Sequence, residues 1–251
     1  MIIKNHEETG WRMYAHNDND FYTGNFYISC TTILDCVVHQ KLKNYMRKNS
    51  EAKQLKVLKA AAQKGTDIHS LIQAYENQEM NMPVDDYDRE QLSRWDALKA
   101  KHSINILKTE LPVWHNLLWV AGTADYILSF DKKDANGNIK RLTGVGDLKT
   151  GRYDIKAGWQ MAFYLEAYKR NTDFSANGMI GLSLPRDLEN KPNTFVYEHI
   201  DSCWKAYLAA WQCFRMLYWN TLEKMKWQGL NTALESYPVD LDDMEKKLIN
   251  L

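Results

Sequence analysis

Apolar positions along the chain change their spacing repeatedly, and each change marks a new group of elements. Residues 27–34 predict a short extended segment running into a helix, with Ser29, Thr31 and Thr32 all suited to cap its first turn. Good helix formers fill residues 51 to about 78, with a break near Gly65. Residues 85–103 predict a further helix with Leu92, Trp95 and Leu98 on one face. From residue 104 the period shortens. Residues 104–114 and 117–130 predict two strands, the first marked by Pro112 as an edge, an irregularity or the strand's end and the second interrupted at Gly122. Residues 140–149 predict a third, and the Asn136-Gly137 pair before it is a hairpin signal. A helix over 154–169, strands over 179–184 and 194–199, and a long helix over 201–225 complete the pattern. In that last helix Trp204, Tyr207, Trp211, Phe214 and Tyr218 recur at helical spacing, which reads as core packing rather than a platform for stacking bases.

Strands grouped between helices predict an α+β (mixed α/β) fold with a central mixed sheet flanked by helices. At 251 residues the chain fits one domain, 1–251, better than two. Its expected parts are a helical N-terminal region at about 30–103, a sheet-bearing core at about 104–200 and a C-terminal helix at about 201–228.

Composition narrows this picture only a little. Apolar residues at 45% and charged residues at 25% are ordinary for a soluble globular protein. No apolar run reaches the length of about 18 residues that a membrane span needs. The first ten residues have neither a secretion-signal core nor an Arg-rich transit face, so the cytoplasm is the expected compartment. The net charge is zero and does not by itself announce a nucleic-acid partner. Its distribution says more: Lys41, Lys43, Arg47, Lys48, Lys53, Lys56, Lys59 and Lys64 stand against the single acid Glu51, as a solvated helix face or a track for a phosphate backbone. The cysteines Cys30, Cys36, Cys203 and Cys213 include no Cys-x-x-Cys pair, which points to buried thiols rather than a zinc or redox motif.

The chemistry gathers at two strand ends. Asp125 follows Gly122 on one strand, and the next strand ends in Asp147-Leu148-Lys149-Thr150-Gly151. Alternation puts Asp147 and Lys149 on one face and Leu148 on the other. If the hairpin pairs these strands, Asp125 lies beside Asp147, and two carboxylates so close perturb each other's ionisation unless a cation sits between them. Mg²⁺ or Mn²⁺ suits such oxygen ligands. Downstream, Gln160 and Tyr164 stand four residues apart on one helix face.

In this order, Gly65/His69, Gly122/Asp125, Asp147/Lys149/Thr150/Gly151 and Gln160/Tyr164 resemble the motifs of the PD-(D/E)XK nuclease superfamily, and more narrowly of its RecB-like branch. Residues 29–34 resemble that branch's N-terminal Ser-x-Thr-x-Ile-Leu segment, so the resemblance runs from about residue 29 to 169. Each motif alone is weak; the ordered set is specific. The resemblance implies a restriction-endonuclease-like core in which Asp125 and Asp147 bind the metal, the Leu148 carbonyl adds a ligand and His69 completes or tunes the shell. It implies that Lys149 positions or activates the attacking water, and that Gln160 and Tyr164 support the site and the nearby DNA backbone. Glu110, on the preceding strand, is either a further acid facing the cleft or a solvent-facing strand residue. Some members carry a four-cysteine iron–sulfur cluster. Here Cys203 and Cys213 would stand about 80° apart in azimuth and about three turns apart along a helix, so no cluster is expected.

The expected function is therefore a Mg²⁺- or Mn²⁺-dependent DNA exonuclease acting on single- or double-stranded DNA in repair, recombination or phage replication. Lys41, Lys48, Arg152 and Lys156 are the candidate phosphate contacts. Two alternatives stay open: a structure-specific or restriction-type endonuclease, and a non-catalytic DNA-binding module on a nuclease fold. Retention of both acids and the lysine argues against the second.

Overall fold

Strand pairing begins at the second residue of the chain. The computed structural model describes residues 1–37, 67–79, 85–134, 136–151, 155–173 and 175–231. Strand β1 (Ile2–Asn5) pairs antiparallel with β2 (Arg12–Ala15), which pairs antiparallel with β3 (Tyr27–Ser29). Between them lies the single turn α1 (Asp20–Thr23). Neither β1 nor β2 is foreshadowed by hydropathy, because β1 is four exposed residues and β2 buries Met13, Tyr14 and Ala15 in succession without alternation. The extended lead-in and helix expected over 27–34 are β3 and α2 (Cys30–Asp35).

Residues 67–76 are helical (α3), followed by α4 (Asp86–Lys101). Then come β4 (Asn105–His115), β5 (Val120–Lys133) and β6 (Ile139–Lys149), close to the expected three strands. The β5–β6 turn is held by Asp134, whose carboxylate accepts from the amides of Asn136 and Asn138 at 2.9 Å each, with Gly137 at a φ of +84°. Helix α5 (Ile155–Asn171), strands β7 (Gly178–Ser183) and β8 (Asn193–Val196), and helices α6 (Ile200–Leu217) and α7 (Trp219–Lys224) follow. The single long C-terminal helix expected from the sequence is thus two helices. Tyr218 leaves helical geometry between them, at φ −116° and ψ 18°, where its ring packs edge-on against Trp11 at 5.0 Å.

The eight strands form one mixed sheet in the order β1-β2-β3-β5-β6-β7-β8, with β4 on the other edge of β5. As an edge strand, β4 tolerates Pro112, as expected. What matters for the site is how β5 is shared. On one edge its first residues pair in parallel with β3 (Ile28↔Val120, Ser29↔Ala121), and from Tyr126 onward it pairs antiparallel with β6. After Gly146, β6 parts from β5 and continues only with β7 (Asp147↔Gly181, Leu148↔Leu182, Lys149↔Ser183). Residues 122–125 therefore line a fork in the sheet.

Helices cover both faces. On one, α2, α5, α6 and α7 bury Ile33, Phe163, Tyr207, Trp211, Phe214 and Leu222 against the sheet. Of the aromatic stripe, Tyr207, Trp211 and Phe214 are core, as their spacing predicts, and Trp204 packs partly buried against them, whereas Tyr218, past the end of α6, is 38% exposed; Trp211 Nε1 also donates to the Leu118 carbonyl at 3.2 Å. On the other, α3 and α4 bury Ile68, Ile72, Trp95 and Leu98 against Tyr126, Leu128, Leu148 and Leu182. The inner face of α4 is more polar than its hydropathy suggests. Gln91 and Arg94 are buried, with Arg94 donating to the carbonyls of Pro185 and Asn190, whereas Leu92 is only partly buried. Among the described residues no helix is long and apolar enough to cross a membrane.

The two helices of that second layer are locked by Glu76, whose Oε1 accepts from Trp95 Nε1 at 2.6 Å and from Lys99 Nζ at 2.5 Å. Its side chain is only 11% exposed, so the pair is well shielded from solvent. Replacing Glu76 with Ala strands a buried indole N–H and leaves the Lys99 ammonium with Asp96, 3.3 Å away, as its carboxylate partner, at a cost of about 2–4 kcal/mol. Chemical denaturation of Glu76→Ala should show that loss; an unchanged midpoint would mean that α3 is held by its apolar contacts and the Tyr75–Asp96 bond instead.

Candidate functional site

The fork between β5 and β6 leaves the backbone of Leu148 facing β5 without a strand partner there. Asp125 fills the gap: its Oδ2 accepts from the Leu148 amide at 2.8 Å. In a strand the N–H and C=O of one residue point to the same side, so the Leu148 carbonyl faces the site as well. That carbonyl accepts a hydrogen bond from the His69 ring, in accord with this direction. The expected alternation holds. Leu148 is buried with the α3–α4 core, while Asp147 and Lys149 share the other face and bond to each other, Nζ to Oδ1, at 2.9 Å.

Opposite Asp125 on β4 stands Glu110. Its neighbours pair as Thr109↔Tyr126 and Leu111↔Ala124, which puts Glu110 level with Asp125 across the ladder. Its backbone lies in the left-handed region, at a φ of +45°. That conformation is costly for a residue with a Cβ and persists only where the surroundings impose it. From the second layer, α3 brings His69, whose Nδ1 lies 3.9 Å from Asp125 Oδ2. One ligand atom each from His69, Glu110 and Asp125 falls within 4.8 Å of the others. Donors bound to a single ion at about 2.1 Å stand roughly 3–4 Å apart, so this set needs little contraction to hold one. One imidazole and two carboxylates suit a divalent ion, with the imidazole leaning toward Mn²⁺ over Mg²⁺.

These groups open onto a cavity of about 460 Å³. Gln160 and Tyr164 line it, and Gln160 Nε2 donates to the Tyr164 hydroxyl at 2.8 Å, as the i, i+4 spacing anticipates. The role of Gly122 is steric. A Cβ there would lie 2.5 Å from Tyr164 Cε1, so the glycine admits the ring against β5. Ser29 and Thr31 also line the cavity. Ser29 is the N-cap residue of α2 by position, but its hydroxyl pairs with that of Thr31 at 2.8 Å and makes no capping bond.

Burial sets the electrostatics. Desolvation pushes the Asp125 carboxyl up to about 6, against the pull of Lys149 and of the Leu148 amide, with Glu110 adding a smaller push in the same direction. Burial and the nearby Lys149 push the His69 imidazole down, keeping it neutral and ligand-competent. The Glu110 carboxyl is also raised by desolvation, with Arg12 opposing.

The structure therefore brings together His69, Glu110, Asp125, Gln160, Tyr164 and the Leu148 backbone. Glu110, open to two readings in sequence, faces the cavity. Asp147 is buried and engaged by Lys149, and it is not one of the three converging donors; neither residue lines the cavity wall, although Lys149 acts on both Asp125 and His69. Lys156 is not among the lining residues either, and its charge acts on Asp35 instead. Gly65, Lys41, Lys48 and Arg152 lie outside the described residues. Sequence reasoning missed Arg12, Tyr14, Ser70, Gln73 and Thr123, all in the cavity wall. Gln73 follows His69 by one helical turn and Thr123 precedes Asp125 by one strand repeat, so both had a signal. Arg12 and Tyr14 had none, because only the β2-β3-β5 pairing carries them there.

Two outcomes follow from this geometry. Gly122→Ala should lower stability by about 1–3 kcal/mol through the clash with Tyr164, and Tyr164→Leu in the same chain should recover much of it; thermal melts of the single and double variants that simply add would refute the steric account. Because the Asp125 carboxyl titrates higher when folded than unfolded, its contribution is fully present below about pH 4 and is lost as pH rises through about 6. Held ionised at neutral pH it costs on the order of 2–3 kcal/mol. Asp125→Asn keeps an acceptor for the Leu148 amide and should therefore raise the melting temperature of the metal-free protein at pH 7.5 by several degrees but not at pH 4; equal shifts at both would place the effect elsewhere. No protein-family model matches this chain, and no curated protein matches it significantly.

Proposed function

We propose that this protein is a divalent-metal-dependent nuclease that hydrolyses phosphodiester bonds of DNA from an end, on a restriction-endonuclease-like core of the RecB-like kind. The observation that carries the reading is the convergence of His69, Glu110 and Asp125 at the sheet fork, one strand step from the Asp147–Lys149 pair. A divalent ion held there would polarise a phosphate and lower the pKa of a bound water. The protein's own groups do the rest. Asp125 and Glu110 supply negative charge to hold the ion, and neutral His69 gives it a lone pair. The Leu148 amide orients the Asp125 carboxylate, and Asp147 fixes the Lys149 ammonium beside it. Lys149 then offers a proton-rich cation to orient the attacking water or to meet charge growing on the phosphate. Asp147 would be a further ligand for the ion if Lys149 left it for the substrate. Gln160 and Tyr164 would support the site and the nearby DNA backbone from the cavity wall. The preference for ends rests on the RecB-like resemblance.

End-labelled single- and double-stranded DNA should be degraded with Mn²⁺ or Mg²⁺ and spared with EDTA, with Mn²⁺ effective at lower concentration. Asp125→Asn, His69→Ala and Lys149→Ala should each slow cleavage by about a hundredfold or more. Cleavage of covalently closed circles would replace the exonuclease reading with an endonuclease, and binding without cleavage under any metal would replace both with a DNA-binding module.

A further inference from the structure

Besides Lys149, which lies outside the cavity wall, the site has a positive charge in the wall itself. Arg12 and Tyr14 stand two residues apart on β2, so their side chains leave the same face of the strand, and both line the cavity. Met13 between them turns the other way into the core. Tyr14 is 1% exposed, and the Arg12 guanidinium sits over its ring, 5.6 Å from the centroid. The ring cannot reach a nucleobase from that depth. It serves as a floor that holds the guanidinium by cation–π attraction and limits where its donors point.

Arg12 itself is exposed, and among the described residues no carboxylate stands within ion-pairing distance of it. Its charge is nonetheless felt at Glu110, which it pulls against the rise caused by burial. Five N–H donors in a planar fork thus border the same cavity as the three candidate metal donors. A planar fork matches the paired non-bridging oxygens of a phosphate, which also carry the negative charge that the guanidinium meets. A basic residue there also lowers the repulsion that Glu110 and Asp125 exert on an incoming phosphate.

We infer that Arg12, braced on Tyr14, is the phosphate anchor of this cavity, gripping a phosphate of the substrate strand next to the one that meets His69, Glu110 and Asp125. The inference rests on the nuclease reading, and it assigns Arg12 to strand binding rather than to bond cleavage. Its ligand chemistry is a phosphate, either an internal diester or the monoester at a strand end.

The test uses the full chain and its Arg12→Gln and Arg12→Lys variants. Binding of a fluorescein-labelled oligothymidylate, with a 5′-phosphate or a 5′-hydroxyl, is followed by anisotropy in Ca²⁺ over a range of salt. Arg12→Gln should weaken binding about tenfold and flatten the salt dependence by about one counterion. Arg12→Lys should recover part of the affinity, since it restores charge without the planar fork. A loss confined to the 5′-phosphorylated probe would assign the anchor to the terminal monoester; an equal loss on both would assign it to a diester. In Mn²⁺ the Gln variant should raise KM about tenfold with kcat nearly unchanged, and its melting temperature and Mn²⁺-induced stabilisation should match those of the parent. Equal binding and equal salt slope in parent and Arg12→Gln would overturn the anchor while leaving the nuclease reading standing. A parent that neither binds nor cuts any probe would overturn both.

Discussion

Where β6 parts from β5, the hydrogen-bond ladder would be left open in the middle of a buried sheet. An amide without an acceptor there would be costly, and the Asp125 carboxylate takes the place of the missing strand, accepting from Leu148 at 2.8 Å. That bond closes the fork without closing the strands, and it fixes one acid of the site to the rigid frame. It also commits a carboxylate to a largely desolvated position, which is why its ionisation is pushed up to about 6. The proposed metal site and the sheet defect are thus the same feature. The defect makes room for the carboxylate, and a bound cation would relieve the cost of keeping it charged.

The remaining groups reach the fork from different directions. Glu110 arrives from β4 through a left-handed backbone angle, and His69 from α3, which Glu76 ties to α4. Tyr164 comes from the opposite helical layer and can approach only because residue 122 has no Cβ. None of these placements is local. Each depends on the register of a strand pair or the docking of a helix, so the cavity is a property of the assembled sheet with both layers in place.

That distinction decides what was legible in the sequence. The strands from 104 to 149, the hairpin at Asn136-Gly137, the helix carrying Gln160 and Tyr164 and the core role of Tyr207, Trp211 and Phe214 are all readable, because each is written in local periodicity. The pairing of Gln160 with Tyr164 and of Asp147 with Lys149 follows from helix and strand geometry alone. The first two strands were not legible, being four residues long and without alternation. With them went Arg12 and Tyr14, whose entry into the cavity is decided by pairing with β3 and not by anything near them in sequence. The break at Tyr218 was hidden for a related reason: helical spacing continues through it, and the contact with Trp11 that accompanies it comes from the other end of the chain.

The position of Asp147 shows what an ordered set of motifs can and cannot convey. Alternation correctly puts it on one face with Lys149 and beside the strand that bears Asp125, yet adjacency of strands is not convergence of ligand atoms. After Gly146 the strands diverge, and the acid nearest Asp125 across a ladder becomes Glu110 on β4 rather than Asp147 on β6. The lysine accounts for where the buried Asp147 carboxylate goes instead, since a desolvated carboxylate needs a partner and Lys149 is within 2.9 Å. The two acids therefore differ in environment. One is desolvated and faces the cavity with a histidine and a second carboxylate; the other is buried and paired with the lysine. Motif spacing names both residues, but only the fork sets their different surroundings.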